Sequence, residues 1–123
     1  QTLTGLVDIF NLWLREGLTD VPVQLVDANA NFKDAYTNPA KYGFVNNSVP
    51  ACDAATIAVI TGGNDTSGSS LFCNGTPGVP YNGLRTGADP TTWQFADGVH
   101  PTPGGHKVIS DEAVKVLRSY GWI

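Results

Sequence analysis

Apolar residues near the start of the chain recur at spacings of three and four. The positions are Leu3, Leu6, Val7, Phe10, Trp13 and Leu14. Such spacing puts the side chains on one face and predicts an amphipathic helix over residues 2–16. Gly17 follows directly, and we expect it to end the helix through a left-handed cap.

The next stretch, "VPVQLVDAN", has the pattern of a buried strand. Val21, Val23 and Leu25 alternate, and Val26 adds apolar character to the second face. Apolar residues on both faces are typical of a strand covered on both sides, so we expect a parallel strand.

Two further helices are predicted. The stretch "NANFKDAY" has Asn residues able to cap a short helix that carries Phe32, Ala35 and Tyr36, and Pro39 limits its length. Apolar positions on one face near the C-terminus predict a helix over residues 104–119. Those positions are Val108, Ile109, Ala113, Val116 and Leu117.

Residues 37–94 are rich in turn formers and contain one apolar patch, "ATIAVI" at residues 55–60. The chain therefore offers at best one strand besides that at residues 21–26. A lone strand leaves its backbone donors and acceptors unpaired. We accordingly expect part of the sheet to be missing from this chain.

Charge and composition narrow the function classes. The 123 residues carry a net charge of −4 with only 7 Lys and Arg, which offers no basic stripe for phosphates, so we expect no nucleic-acid partner. No apolar run approaches the roughly 18 residues of a transmembrane helix. Methionine is absent, so we expect a processed chain or a piece of a longer polypeptide.

Cys52 and Cys73 lie in a segment rich in Gly, Ser, Asn and Pro. A disulfide there would limit the freedom of a loop that buries little apolar surface, and the alternative is a pair of buried free thiols. The disulfide is favoured, and with it a secreted, periplasmic or other extracellular location.

The stretch "FADGVHPTPGGH" contains candidate catalytic residues. Asp97 precedes His100 by three residues, and Gly98 and Pro101 preclude a regular helix, so a turn can bring the carboxylate onto Nδ1 and leave Nε2 free to accept a proton. The alternative is that Asp97 only caps a turn and His100 packs. We expect His106 to pack or cap rather than react.

Other catalytic groups are not recognisable from the residues. Two histidines six apart are too few ligands for the usual zinc site, and we expect no metal and no cofactor. None of the serines lies in a GxSxG elbow. These are Ser48, Ser67, Ser69, Ser70, Ser110 and Ser119.

Several segments, in this order, resemble the SGNH, or GDSL, esterases and lipases of the plant-type and related bacterial branch. They are "FN" at 10–11, "VDAN" at 26–29, "NPAKYGFVNNSVPAC" at 38–52, "FCN" at 72–74 and "FADGVHPT" at 95–102. The resemblance implies that His100 is the general base and Asp97 its orienting partner. It also implies the α/β class, with a flavodoxin-like three-layer α/β/α fold whose parallel sheet is incomplete in this chain alone.

The chain departs from the family pattern in lacking the GDS motif that carries the nucleophilic serine. We therefore interpret residues 1–123 as the C-terminal part of a single SGNH-hydrolase domain, with the N-terminal segment of the same enzyme as its partner. "GGND" at 62–65 imitates an oxyanion block but falls at the wrong place in the order, so we expect a turn there and no catalytic role for Asn64.

Two functional hypotheses follow. In the first, the chain supplies His100 and Asp97 to a carboxylic-ester hydrolase that acts by Ser-His-Asp acyl transfer on a lipid or small acyl ester. In the second, it is a secreted, disulfide-stapled binding or structural module without catalysis. We expect the loop between Cys52 and Cys73 to lie at the surface and shape the approach to the site without touching its chemistry.

Overall fold

The computed structural model describes residues 2–76 and 79–123. Within these residues the regular elements are α-helices and two short 3₁₀ helices. The α-helices are α1 (Leu3–Gly17), α2 (Ala28–Thr37), α3 (Ala54–Ile60) and α4 (Pro103–Ser119), and the 3₁₀ helices are Pro39–Tyr42 and Ser70–Phe72.

The α/β prediction is wrong for the part of the chain that the structure describes. Residues 21–27 run without a neighbouring strand. In the described residues, 2–76 and 79–123, the only β-type pairings are four isolated bridges. Val21, Val23 and Leu25 stay more than 40% exposed. Without a second strand to pair its backbone, an alternating apolar stretch forms no sheet, so the flavodoxin-like three-layer α/β/α fold is not present.

The first helix lies where the apolar spacing predicts it. Thr2 caps it, its hydroxyl accepting a hydrogen bond from the Gly5 N–H at 3.3 Å. The expected left-handed cap at Gly17 is wrong, because Gly17 belongs to the last helical turn and Leu18 closes it with a φ of −102°. The N–H of Leu18 bonds the carbonyls of Leu14 and Arg15, so the end needs no glycine.

Asp side chains, and not Asn side chains, cap the N-termini of α2 and α3. Asp27 Oδ1 accepts from the Ala30 N–H at 2.9 Å and starts α2, where the sequence favoured an Asn cap. Asp53 Oδ1 accepts from the Thr56 N–H at 2.9 Å and starts α3. The apolar patch at 55–60 is therefore helical, with Ile57 fully buried.

The core forms where α2 packs on α4. Ala35 of α2 and Val108 of α4 meet Phe44, and Tyr42 packs against this cluster. Lys41, Tyr42 and Asn38 donate to the Asp34 carboxylate, in that order of effect, and lower its pKa to about 2. These contacts tie α2 to the turn that follows it.

Helix α1 is joined to α2 by polar contacts at the surface. Lys33 Nζ lies 2.5 Å from the Asp8 carboxylate, and Arg15 pairs with Asp27. The apolar face of α1 remains uncovered, with Phe10 64% and Trp13 68% exposed. No helix among residues 2–76 and 79–123 is both long and apolar enough to span a bilayer.

The start of α4 packs so closely on the preceding turn that only glycine fits. A Cβ at Gly104 would lie 2.3 Å from the Thr91 carbonyl oxygen, whereas a Cβ at Gly17 would meet nothing within 4 Å. Gly104→Ala should therefore lower the free energy of unfolding by about 1–3 kcal/mol. Gly17→Ala, in a helical turn with open space, is the control and should be neutral or stabilising by up to about 1 kcal/mol. Thermal unfolding followed by circular dichroism measures both, and equal Tm values for the two variants would contradict the packing.

Candidate active site

The candidate site lies on a tight turn between residues 94 and 102. Phe95 and Pro101 pair across it in antiparallel sense, and the Ala96 N–H donates to the His100 carbonyl at 2.9 Å. The Thr102 N–H closes the base of the turn on the Gln94 carbonyl at 3.1 Å. Residues 97–100 therefore form the tip of the turn.

Thr102 anchors this turn to α4. It is 1% exposed, its hydroxyl donates to the Trp93 carbonyl, and the same oxygen accepts from the Gly105 N–H at 3.1 Å as the helix cap. Because one side chain bonds both the incoming chain and the first helical turn, the tip of the turn is held relative to α4.

Asp97 and His100 are in direct contact. His100 Nδ1 lies 2.8 Å from Oδ2 and 3.0 Å from Oδ1 of Asp97. The carboxylate is 7% exposed, whereas the imidazole is 63% exposed. The arrangement buries the carboxylate and presents the ring to the outside.

Four N–H groups converge on the Asp97 carboxylate. Besides the imidazole, the backbone N–H groups of Val99 and His100 donate to Oδ1 at 2.9 and 2.8 Å, and that of Ser70 donates to Oδ2 at 2.8 Å. Burial by itself raises the pKa of this carboxyl, but these hydrogen bonds outweigh it and hold the pKa well below its usual range.

The protonation state of the carboxylate determines the tautomer of the histidine. An ionised carboxylate only accepts hydrogen bonds, so Nδ1 of His100 must carry a proton to donate to Asp97. In a neutral imidazole the lone pair then lies on Nε2, which is the atom that accepts a proton in general-base catalysis.

The other candidate residues lie elsewhere. His106 is exposed on α4. Asn64 donates from Nδ2 to the Thr61 carbonyl at 2.8 Å, just after the end of α3, and Gly62 and Gly63 have left-handed φ values of 61° and 82°. "GGND" therefore forms a turn, which is the conformation that the sequence predicts for it.

The nucleophile and any cation ligands are not evident in the described ranges. In the described residues, 2–76 and 79–123, no serine hydroxyl forms a hydrogen bond with His100. The same residues hold no group of three His, Cys, Asp or Glu side chains suited to a metal ion.

Cys52 and Cys73 form the expected disulfide, with a Cα–Cα distance of 5.4 Å. The sequence predicts that the loop between them shapes the approach to the site without touching its chemistry, whereas in the structure the Ser70 N–H of this loop donates to the candidate residue Asp97. The contact of Ser70 was not predictable from the sequence for a physical reason. The donor is a backbone N–H, which every residue except proline has, so the side chain gives no signal.

Among the described residues, two of the clefts that adjoin the turn lie near its tip. One, of about 480 Å³, is lined by Ala96 and Pro101 on either side of the Asp97 and His100 tip, and by Leu71 and Leu84. The other, of about 240 Å³, is lined by residues that include Asp97 itself. His100 is not among the described residues that line either cleft.

Comparison with known proteins gives one informative similarity. The chain is 27% identical over 106 residues to a GDSL esterase/lipase of Arabidopsis thaliana, an alignment that covers 86% of this chain and 25% of that protein. It thus spans about a quarter of the length of that relative. No family model matches the chain. No solved structure matches it. The similarity indicates a distant, GDSL-like relationship.

The buried Asp97 carboxylate predicts acid-sensitive stability. A carboxyl whose pKa is lowered by folding stabilises the fold fully above its unfolded pKa of about 4, and this contribution is lost as the pH falls below that value. Asp97→Asn should lower the free energy of unfolding at pH 7 by on the order of 2 kcal/mol, with a smaller deficit at pH 2.5.

Urea titrations at both pH values measure these free energies. Asp111→Asn is the control, because that carboxylate is 63% exposed on α4. This substitution should change the free energy of unfolding by less than about 0.5 kcal/mol. An Asp97→Asn deficit that is the same at both pH values would contradict the ionised, hydrogen-bonded state.

Proposed function

We propose that this chain is the C-terminal part of an SGNH-type carboxylic-ester hydrolase and supplies His100 as general base and Asp97 as its orienting partner. The observation that carries the proposal is the contact of a buried, ionised Asp97 with Nδ1 of His100, whose ring is exposed. The distant relationship to a GDSL esterase/lipase supports the same class of reaction.

The reaction in this proposal is acyl transfer in two steps. His100 Nε2 takes the proton of a serine hydroxyl while the serine oxygen attacks the ester carbonyl, and the departing alkoxide takes the proton from Nε2 as the C–O bond breaks. Water then gives a proton to Nε2 and attacks the acyl-enzyme, and the serine oxygen recovers the proton as the carboxylic acid leaves.

Asp97 has two roles in this mechanism. Its hydrogen bond holds the imidazole with Nδ1 protonated, and its charge stabilises the imidazolium that forms when Nε2 takes up the proton. The three backbone N–H groups on the carboxylate keep it ionised and in place, so Asp97 does not compete for the proton.

The serine in this proposal belongs to a segment outside the 123 residues. The uncovered face of α1 supports such a partner, since Leu3, Phe10 and Trp13 are each more than 60% exposed. Apolar side chains spaced along one helix face are commonly buried against another part of a protein.

The substrate in this proposal is a lipid or a small acyl ester. The cleft beside the turn supports it, because Leu71, Leu84 and Pro101 give that cleft apolar walls. The disulfide supports a location outside the cytoplasm, where such bonds persist.

His100→Ala tests the proposal in a polypeptide that joins this chain to the segment encoded upstream of it. Loss of the general base should lower kcat for p-nitrophenyl butyrate by several powers of ten. His106→Ala is the matched control, because His106 lies exposed on α4 away from Asp97, and it should retain kcat within about twofold.

Two outcomes would contradict the proposal. One is near-normal turnover by the His100→Ala protein. The other is a wild-type polypeptide that neither hydrolyses the ester nor is labelled on a serine by a fluorophosphonate, which would favour a disulfide-stapled binding module instead.

A further inference from the structure

The hydrogen bonds to Asp97 have two origins. The N–H groups of Val99 and His100 belong to the same turn as the carboxylate and come with its local conformation. The Ser70 N–H is 27 residues away in the chain and reaches Oδ2 at 2.8 Å from inside the disulfide loop. His100 Nδ1 bonds the same oxygen at 2.8 Å. Oδ2 of Asp97 therefore accepts hydrogen bonds from both the disulfide loop and the imidazole.

Both half-cystines are connected to the Asp97 segment. On one side, the Cys73 N–H donates to the Ser70 carbonyl at 3.2 Å, and Ser70 in turn donates to Asp97. On the other side, the Cys52 N–H donates to the carbonyl of Ala96 at 2.8 Å, directly before Asp97. The disulfide closes this ring of contacts around the carboxylate.

We propose that Ser70, held by the Cys52–Cys73 disulfide, is a positioning residue that fixes Asp97 against His100. This role rests on the proposed esterase function for its effect on catalysis, but the geometry that it predicts is a property of the chain itself. The disulfide thereby contributes to the alignment of the histidine as well as to stability.

The disulfide matters here because the loop cannot order itself by burial. Residues 62–70 are Gly, Asn, Asp, Thr and Ser, which provide little apolar surface to offset the entropy of a fixed conformation. Hydrogen bonds through Gly83 also join the two sides, from its N–H to Phe72 and from Asp53 to its carbonyl. We therefore expect loss of the disulfide to loosen the Ser70 contact without abolishing it.

Ser70→Pro replaces the N–H donor by a ring Cδ, so Oδ2 of Asp97 loses this hydrogen bond and must move away from residue 70. Proline suits the first position of a 3₁₀ helix, and Ser69 has φ −55° and ψ 135°, a conformation that a residue before proline adopts readily. Ser70→Ala is the matched control, since it keeps the N–H and removes only the hydroxyl.

The readout is the downfield NMR resonance of the His100 Nδ1 proton in the 123-residue chain. Loss of one hydrogen bond to a charged group should speed exchange of this proton with solvent roughly tenfold in Ser70→Pro. Ser70→Ala should leave its shift and exchange unchanged. Wild-type exchange in Ser70→Pro would overturn the proposal.

Cys52→Ser with Cys73→Ser provides a second, independent test, measured well below the Tm of the variant. A purely structural disulfide would lower the Tm and leave the Nδ1 proton unchanged, and that result would overturn the proposal. A positioning disulfide moves this resonance toward that of Ser70→Pro. Should either variant fail to fold, the same resonance is followed in the wild-type chain during reduction by a phosphine, and a signal whose shift and exchange rate stay unchanged after complete reduction would also overturn it.

Activity measurements separate this inference from the esterase function. In the polypeptide that includes the upstream segment, Ser70→Pro should lower kcat roughly tenfold with little change in KM. If the NMR signal changes as expected but the wild type has no esterase activity, the positioning is correct and the proposed function is wrong. If His100→Ala abolishes activity while Ser70→Pro alters neither signal nor kcat, the function is correct and the positioning is wrong.

Discussion

The burial of Asp97 as an anion is the constraint on which the site depends. A carboxylate that is only 7% exposed is costly unless hydrogen-bond donors replace the lost water. Here the donors are three backbone N–H groups and one imidazole. Because each donor must lie within about 3 Å of an oxygen, the positions of the turn, the disulfide loop and His100 restrict one another.

Contacts elsewhere in the described chain hold the turn in place relative to the helices. Thr102 bonds the chain before the turn and caps α4 after it, and α4 packs on α2 through Val108 and Ala35. The buried core is small, so backbone hydrogen bonds and one covalent bridge order the long middle segment, where apolar burial is scarce.

Two features of the described residues support the same proposal: the exposed imidazole of His100 and the uncovered apolar face of α1. In the proposed reaction Nε2 of His100 accepts a proton from a hydroxyl, and none of the serines in the described ranges bonds to His100. The face of α1 leaves large apolar side chains, Phe10 and Trp13 among them, in contact with water. The proposed function assigns both the nucleophile and the cover of this helix face to a further segment.

Local properties of the sequence were enough to predict α1, α4 and the pairing of Asp97 with His100, since apolar spacing and a three-residue turn act over short distances. The strand at residues 21–26 was predicted wrongly, because a strand exists only if another strand pairs with it, and that is decided in three dimensions. The contact of Ser70 with Asp97 was invisible for a related reason. It joins a backbone N–H, which carries no side-chain signature, to a residue 27 positions away, so only the tertiary structure brought them together.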